Sequence, residues 1–198
     1  MNPGARDAVR GARWLAWVVG VLALLGAWQV AEAGWIHAKA IVAQHLIASA
    51  WKDARAGRVA RRPWPWADMR PVARLTVPAR RVELFVLDNA SNRALAFGPA
   101  HVSGTAAPGS AGNVVIVAHR DTHFAFLREL HPDDEIDVET PRGATRYRVR
   151  DVAIVDKSDT RVLDAADSPQ LTLITCFPFD AVRPGTSLRY VVVADLVV

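Results

Sequence analysis

A chain of 198 residues contains a single cysteine, Cys176, and it stands at the end of an apolar, β-branched run, LTLITC. A thiolate is a strong nucleophile towards carbonyl carbon, and acyl transfer through a thioester needs two further groups: one that moves a proton and one that holds the developing oxyanion. His119 ends a second such run, NVVIVAH, and an imidazole there can act as acid and base. Arg189 opens a third run, RYVVVADLVV, where a guanidinium can bind an oxyanion or a peptide carbonyl. Asp121 and Asp180 lie close in sequence to His119 and Cys176 and are candidate substrate-binding or histidine-orienting groups, as is Thr175 for substrate. Strand alternation turns the Thr175 hydroxyl away from Cys176, which also admits a purely structural role. Each residue taken singly has a plainer reading: a buried thiol, a packing histidine, an edge-strand charge, solvated loop acids. Arg183, nearer the cysteine, is an alternative to Arg189 but precedes Pro184-Gly185 in a turn-like stretch.

The elements that must position these groups are short β-type runs beyond Pro71: 82–88, 113–119, 135–140, 146–156, 171–176 and 189–198. Several short strands punctuated by turn residues predict a mainly β fold, a sandwich or barrel. Within 146–156, Tyr147, Val149, Asp151 and Ala153 alternate with Arg146, Arg148, Arg150 and Val152, so that one face is dry and the other wet at the start of the run. Phe124, Phe126, Leu127 and Leu130, closed by Pro132, predict one short helix after Thr122.

LTLITC (171–176), GNVVIVAHRD (112–121) and LRYVVVA (188–194) together resemble the signature of the sortases, cysteine transpeptidases that attach proteins to cell-surface acceptors. GTAAPG (104–109) and FAFLREL (124–130) are also similar to that family, and the resemblance covers about residues 72–198. It implies a closed sortase-type β-barrel with short helices. It also implies Cys176 as nucleophile, His119 as the catalytic histidine and Arg189 as the catalytic arginine. The substrate would be a secreted protein with a C-terminal LPxTG-like sorting signal, and the acceptor an amine. The segment CFPFDAVRPGTSLRY resembles the class D-like branch, and within it the class GN sortases of Gram-negative proteobacteria. No cofactor is expected. Some sortases use calcium, but the adjacent Asp133, Asp134 and Glu135 read as a polar turn, and the histidines lack paired metal-ligand spacing. An L,D-transpeptidase would need a glycine before the cysteine and an aliphatic-arginine pair after it, whereas Thr175 and Phe177 flank Cys176. The non-enzyme alternative is an anchored β-domain that binds a periplasmic partner.

Upstream of the β-rich part, Trp14–Trp28 carries no charge, and Gln29 and Val30 extend the run to Ala31. Its length is close to the roughly 20 residues that span a bilayer. Arg6, Arg10 and Arg13 precede it, which by the positive-inside rule exports everything that follows. The predicted organisation is a basic cytoplasmic tail (1–13), a signal anchor (14–33), a helical stalk and Pro/Arg/Trp linker (34–71) and the catalytic domain (72–198). The expected location is a single pass of the inner membrane with the domain in the periplasm. Ala31-Glu32-Ala33 also has the form of a leader-peptidase site, so cleavage is the competing outcome. The linker, RVARRPWPWADMRP, contains three prolines and four arginines and reads as solvated, with contact to anionic lipid as an alternative. Residues 1–81 carry 13 Lys/Arg against 4 Asp/Glu, whereas residues 82–198 carry 11 against 16. The basic excess therefore lies outside the part expected to fold, which argues against a nucleic-acid-binding module.

Overall fold

The computed structural model describes residues 3–58, 61–183 and 185–197, with side chains from Trp14 onward apart from Leu15 and Ala16. The side chains of Arg6, Arg10 and Arg13, and all of Pro184 and Val198, lie outside the described residues. The chain divides into two compact units, Met1–Val42 and Ala43–Val198. Helix α1 runs Pro3–Arg55. In the first unit its side chains are solvent-facing and apolar, Trp17, Leu22, Leu25 and Trp28 among them, and Lys39 lies over the ring of Trp35. From Trp17 onward the helix is long and apolar enough to cross a membrane.

The second unit is a closed eight-stranded barrel in the order β1-β2-β3-β4-β7-β8-β6-β5. The strands are β1 (Pro71–Val77), β2 (Val82–Leu87), β3 (Ala100–His101), β4 (Asn113–Val117), β5 (Glu135–Thr140), β6 (Gly143–Asp156), β7 (Gln170–Phe177) and β8 (Leu188–Leu196). The run pattern predicted a mainly β sandwich or barrel, and the family resemblance implied the closed barrel that is found. Two strands escaped that pattern: β1, which opens on a proline, and the two-residue β3. A short 3-10 helix at Ala125–Glu129 stands where the helix after Thr122 was expected. Alternation along β4, β7 and β8 sends Val114, Ile116, Leu171, Leu173, Val192 and Ala194 into the barrel interior. The opposite faces of the same strands carry a separate apolar cluster, Val115, Ile174 and Val191, covered by Val162 and Leu163 of the β6–β7 connection.

Two expectations are revised. The alternation of β6 does not run through, because the pairing with β8 shifts between Val149 and Asp151. That bulge turns Asp151 outward and packs Val152 against the core instead. The segment before β1, expected as a solvated linker, is exposed at Arg61, Arg62, Pro65, Trp66, Asp68 and Arg70 but not throughout. Ala43, Ile47, Ala50, Trp51 and Ala54 form the buried stripe of α1 in this unit, and Pro63, Ala67 and Met69 are buried with them. Ile47, Ala67 and Met69 share one apolar cluster with Leu87, Ala94 and Ala100, inside the compact unit Ala43–Val198. The prolines forbid a helix or central strand there, but they do not forbid burial.

Candidate active site

Register, more than any single contact, assembles the site. Strand β7 lies between β4, which is parallel to it, and β8, which is antiparallel. Cys176 pairs directly with Arg189 of β8. On the other side Val117, the last residue of β4, pairs with Ile174, and the amide of Ala118 still donates to the Ile174 carbonyl, so His119 follows β4 on the side of β7 opposite Arg189. Alternation decides the face. Leu171 and Leu173 point inward, so Cys176 shares the outer face with Ile174; Val191 and Arg189 do likewise on β8, as do Val115, Val117 and His119 on the β4 side. Cys176 is half-buried and His119 exposed, so a substrate can reach both.

Arg189 is partly buried, and its Nη1 donates to the carbonyls of Thr186 and Leu188 at 2.8 and 2.9 Å. Those bonds hold the guanidinium at the start of β8 and leave the Nε and Nη2 hydrogens, among its five donors, for a ligand. Thr175 is buried, and its hydroxyl donates to the Ala118 carbonyl at 2.7 Å from the interior face. It thus joins β7 to β4 immediately before His119. Asp121 accepts from Arg120 Nε at 3.1 Å, and Asp180 is exposed on the β7–β8 connection. Arg183 is exposed there too, with its carbonyl accepting from Arg120 Nη2 at 3.2 Å. In the acidic turn, Asp134 accepts from the His131 amide, and Glu135 faces Arg146 and Arg148.

Three residues of this region went unread in the sequence. The Arg120 guanidinium is almost fully buried, and it donates to the Ala181 carbonyl at 2.6 Å, to that of Arg183, and to the Thr186 hydroxyl at 3.4 Å. One side chain adjacent to His119 therefore holds the loop that joins Cys176 to Arg189. On the interior side the same loop is fixed by aromatic contacts: Phe179 lies edge-on to Tyr190, and Tyr190 stacks on Phe177. Burial pushes the Tyr190 phenol upward, keeping it neutral in this cluster. Asn113, buried, donates to the carbonyls of Val162 and Asp164 and accepts from the Thr172 hydroxyl, which staples the β6–β7 connection over the outer face. The available signals were an arginine next to the candidate histidine and a polar residue opening an apolar strand. His123 is the third. Burial, and then the neighbouring charge of His119, hold its imidazole below the ordinary value.

Cys176 and Arg189 lie side by side where β7 ends and β8 begins, and His119 follows the end of β4, the strand on the other side of β7. Comparison with known proteins gives the family. Residues 75–197 match the sortase domain model, and the chain belongs to the sortase family. It is 29% identical over 119 residues to a sortase D of Bacillus subtilis (strain 168), a match that spans 60% of this chain and 60% of that relative. Among solved structures, sortase A from Corynebacterium diphtheriae aligns with TM-score 0.60 and 27% identity, over 67% of this chain and 63% of that one. Sortase C-1 from Actinomyces oris aligns at 0.58 and 29%, over 64% and 74%. A Clostridium perfringens sortase D5 transpeptidase aligns at 0.57 and 26%, over 64% and 79%.

Two predictions follow from the loop and from His123. Replacing Arg120 with Met removes the donors that hold Ala181, Arg183 and Thr186, so amides of residues 181–187 should exchange with solvent at least about tenfold faster while the core strands stay protected. Hydrogen exchange read by mass spectrometry checks this, and unchanged loop exchange would contradict it. For His123, the unfolded chain takes up a proton near pH 6.5 while the folded one resists. Its contribution to stability is intact above that pH and is lost as pH falls through the lowered folded value. Denaturant titrations of His123→Gln against wild type between about pH 7 and pH 5 should give a shallower loss of stability in the variant. Parallel curves would count against the buried neutral imidazole.

Proposed function

We propose that the chain is a membrane-anchored sortase that cleaves a C-terminal LPxTG-like sorting signal and transfers the acyl fragment to an amine. The observation that supports this reading is the direct pairing of Cys176 with Arg189, with β4, which leads into His119, on the other side of β7. The Cys176 sulfur attacks the carbonyl carbon of a Thr-Gly-like bond, and the negative charge that gathers on oxygen meets the free Nε and Nη2 hydrogens of Arg189. His119 holds the proton given up by the thiol and delivers it to the leaving nitrogen as the carbon–nitrogen bond breaks. A thioester on Cys176 remains. The acceptor amine then attacks the same carbon, its proton passes to His119, the carbon–sulfur bond breaks, and the thiol is restored. Water in place of the amine gives hydrolysis. We assign Thr175 to positioning, since its hydroxyl is committed to Ala118 on the opposite face, and leave Asp121 and Asp180 as rim groups for substrate.

The apolar part of α1 supports the anchor. A substrate whose own C-terminal hydrophobic segment sits in the same bilayer meets the enzyme at a raised effective concentration. Three arginines ahead of the apolar run support a cytoplasmic N-terminus. The resemblance of the 176–190 segment to the Gram-negative class supports an inner membrane with the barrel on the periplasmic side.

Intact-mass spectrometry of the full chain after incubation with pooled LPxTG-like peptides tests the reading. Wild type should gain the mass of the peptide's N-terminal fragment, hydroxylamine should release it, and Cys176→Ala should show none. His119→Ala and Arg189→Ala should slow adduct formation by about 100-fold or more. A folded protein without adduct but with an alkylatable Cys176 would assign a different acyl donor. No adduct with an unreactive Cys176 would return the barrel to a binding role.

A further inference from the structure

The Pro/Arg/Trp segment makes an excursion with a defined tip. Arg58 and Pro71, at its two ends, line the same cavity of about 420 Å³ together with Ala54 and Asp88. Between them the chain reaches Trp64, whose ring meets Phe97 edge-on at 5.2 Å, and the Phe97 carbonyl accepts from Gln44 Nε2 at 2.7 Å. Ala54 and Gln44 are ten residues apart on α1, about 15 Å of helix. The tip therefore lies at the end of the Ala43–Val198 unit where α1 enters it. It is rigidly held: Pro63, Ala67 and Met69 are buried, the Ala67 amide donates to the Trp64 carbonyl, and Asn89 donates to the Asp68 carbonyl.

What this turn presents to solvent is unusual for a folded surface. Trp66 is 79% exposed, and among the described large apolar side chains of the unit only Val182 is more so. Arg61 and Arg62 beside it are exposed and carry no ion pair among the described residues. The acid of the turn, Asp68, faces Arg93 at 3.5 Å. An indole with unpaired arginines is the chemistry that seats at a headgroup layer. The ring prefers the interfacial zone, and each arginine near an anionic surface adds about fivefold in partitioning. Covalent reach limits the distance to such a surface: Gln44 is thirteen positions after Ala31, where the apolar run ends, at most about 45 Å even when fully extended.

We propose that the Arg61–Trp66 turn is a bilayer-docking surface, with Trp66 in the headgroup region of an anionic membrane and Arg61 and Arg62 on its phosphates. This rests on the reading that the apolar helix spans that membrane. Docking gives the barrel a second attachment and so restricts its tilt, which sets the direction from which a membrane-bound substrate approaches Cys176.

The test uses the full chain with Cys176→Ala and one added cysteine bearing an NBD fluorophore, at Trp66, Leu22 or Val182. The chain is reconstituted into vesicles of phosphatidylcholine alone or of phosphatidylcholine and phosphatidylglycerol at about 3:1, and quenching by aqueous iodide is measured. The expected result is strong protection of the Leu22 label in both vesicles and none at Val182. The Trp66 label should be at least about threefold less quenched in the anionic vesicles than in neutral ones, a difference that Arg61→Glu with Arg62→Glu abolishes. Leu22 protected with Trp66 as open to iodide as Val182 would overturn the docking surface alone. Trp66 protected equally in detergent would overturn it in favour of a protein contact. Leu22 unprotected would overturn the membrane-span reading, and the docking surface with it.

Discussion

The site depends on one constraint, the pairing register of β7 with its two neighbours. Cys176 and Arg189 come from consecutive strands and His119 from a segment far earlier in the chain, and they are brought to one end of the sheet because β7 pairs in parallel with β4 and antiparallel with β8 in a fixed offset. A strand has a side-chain period of two, so a slip of one residue would exchange the faces and drive Cys176 inward, to the side occupied by Tyr190 and Phe179. Both faces of β7 resist that slip. The interior side is filled by Leu171 and Leu173, the outer side by Ile174, and the Thr175 hydroxyl adds a specific bond to the Ala118 carbonyl.

Connections finish what the register begins. The β7–β8 loop is gripped from one side by Arg120 and from the other by the Phe177, Phe179 and Tyr190 rings, so the sequence between nucleophile and arginine is long but fixed at its base. Asn113 does the same for the β6–β7 connection over the outer face. Reactive groups stand on strand ends while buried polar side chains tie the loops to them. A site built this way stays within the narrow geometric tolerance that acyl transfer demands.

Cys176, His119 and Arg189 stood out as candidates in the sequence because each interrupts an apolar run at a strand end, a local pattern, and because the runs themselves match a family. The mainly β class was legible from the spacing of those runs, and the choice of barrel over sandwich came from the family resemblance. Other features were not, for identifiable reasons. The bulge in β6 is a property of its pairing with β8, and nothing local marks residue 150 as the extra one. Burial of Ala67 and Met69 follows from a docking surface made by Ile47, Leu87 and Ala100, residues distant in the chain. Arg120 looks like any surface arginine until the loop that it bonds is folded over it. His123 read as one more histidine, and only packing brings it against His119.

The central claim is the simultaneous presence of thiol, imidazole and guanidinium on one outer face, and the most direct measurement is a crystal structure of the barrel covalently trapped on a sorting-signal peptide carrying a thiol-reactive carbonyl mimic. The account predicts a bond from the peptide carbon to the Cys176 sulfur, the mimic's oxygen within hydrogen-bond distance of the Arg189 Nε or Nη2, and His119 on the leaving-group side. A trapped oxygen contacted by Arg183 instead, or a peptide entering from the interior face, would contradict it.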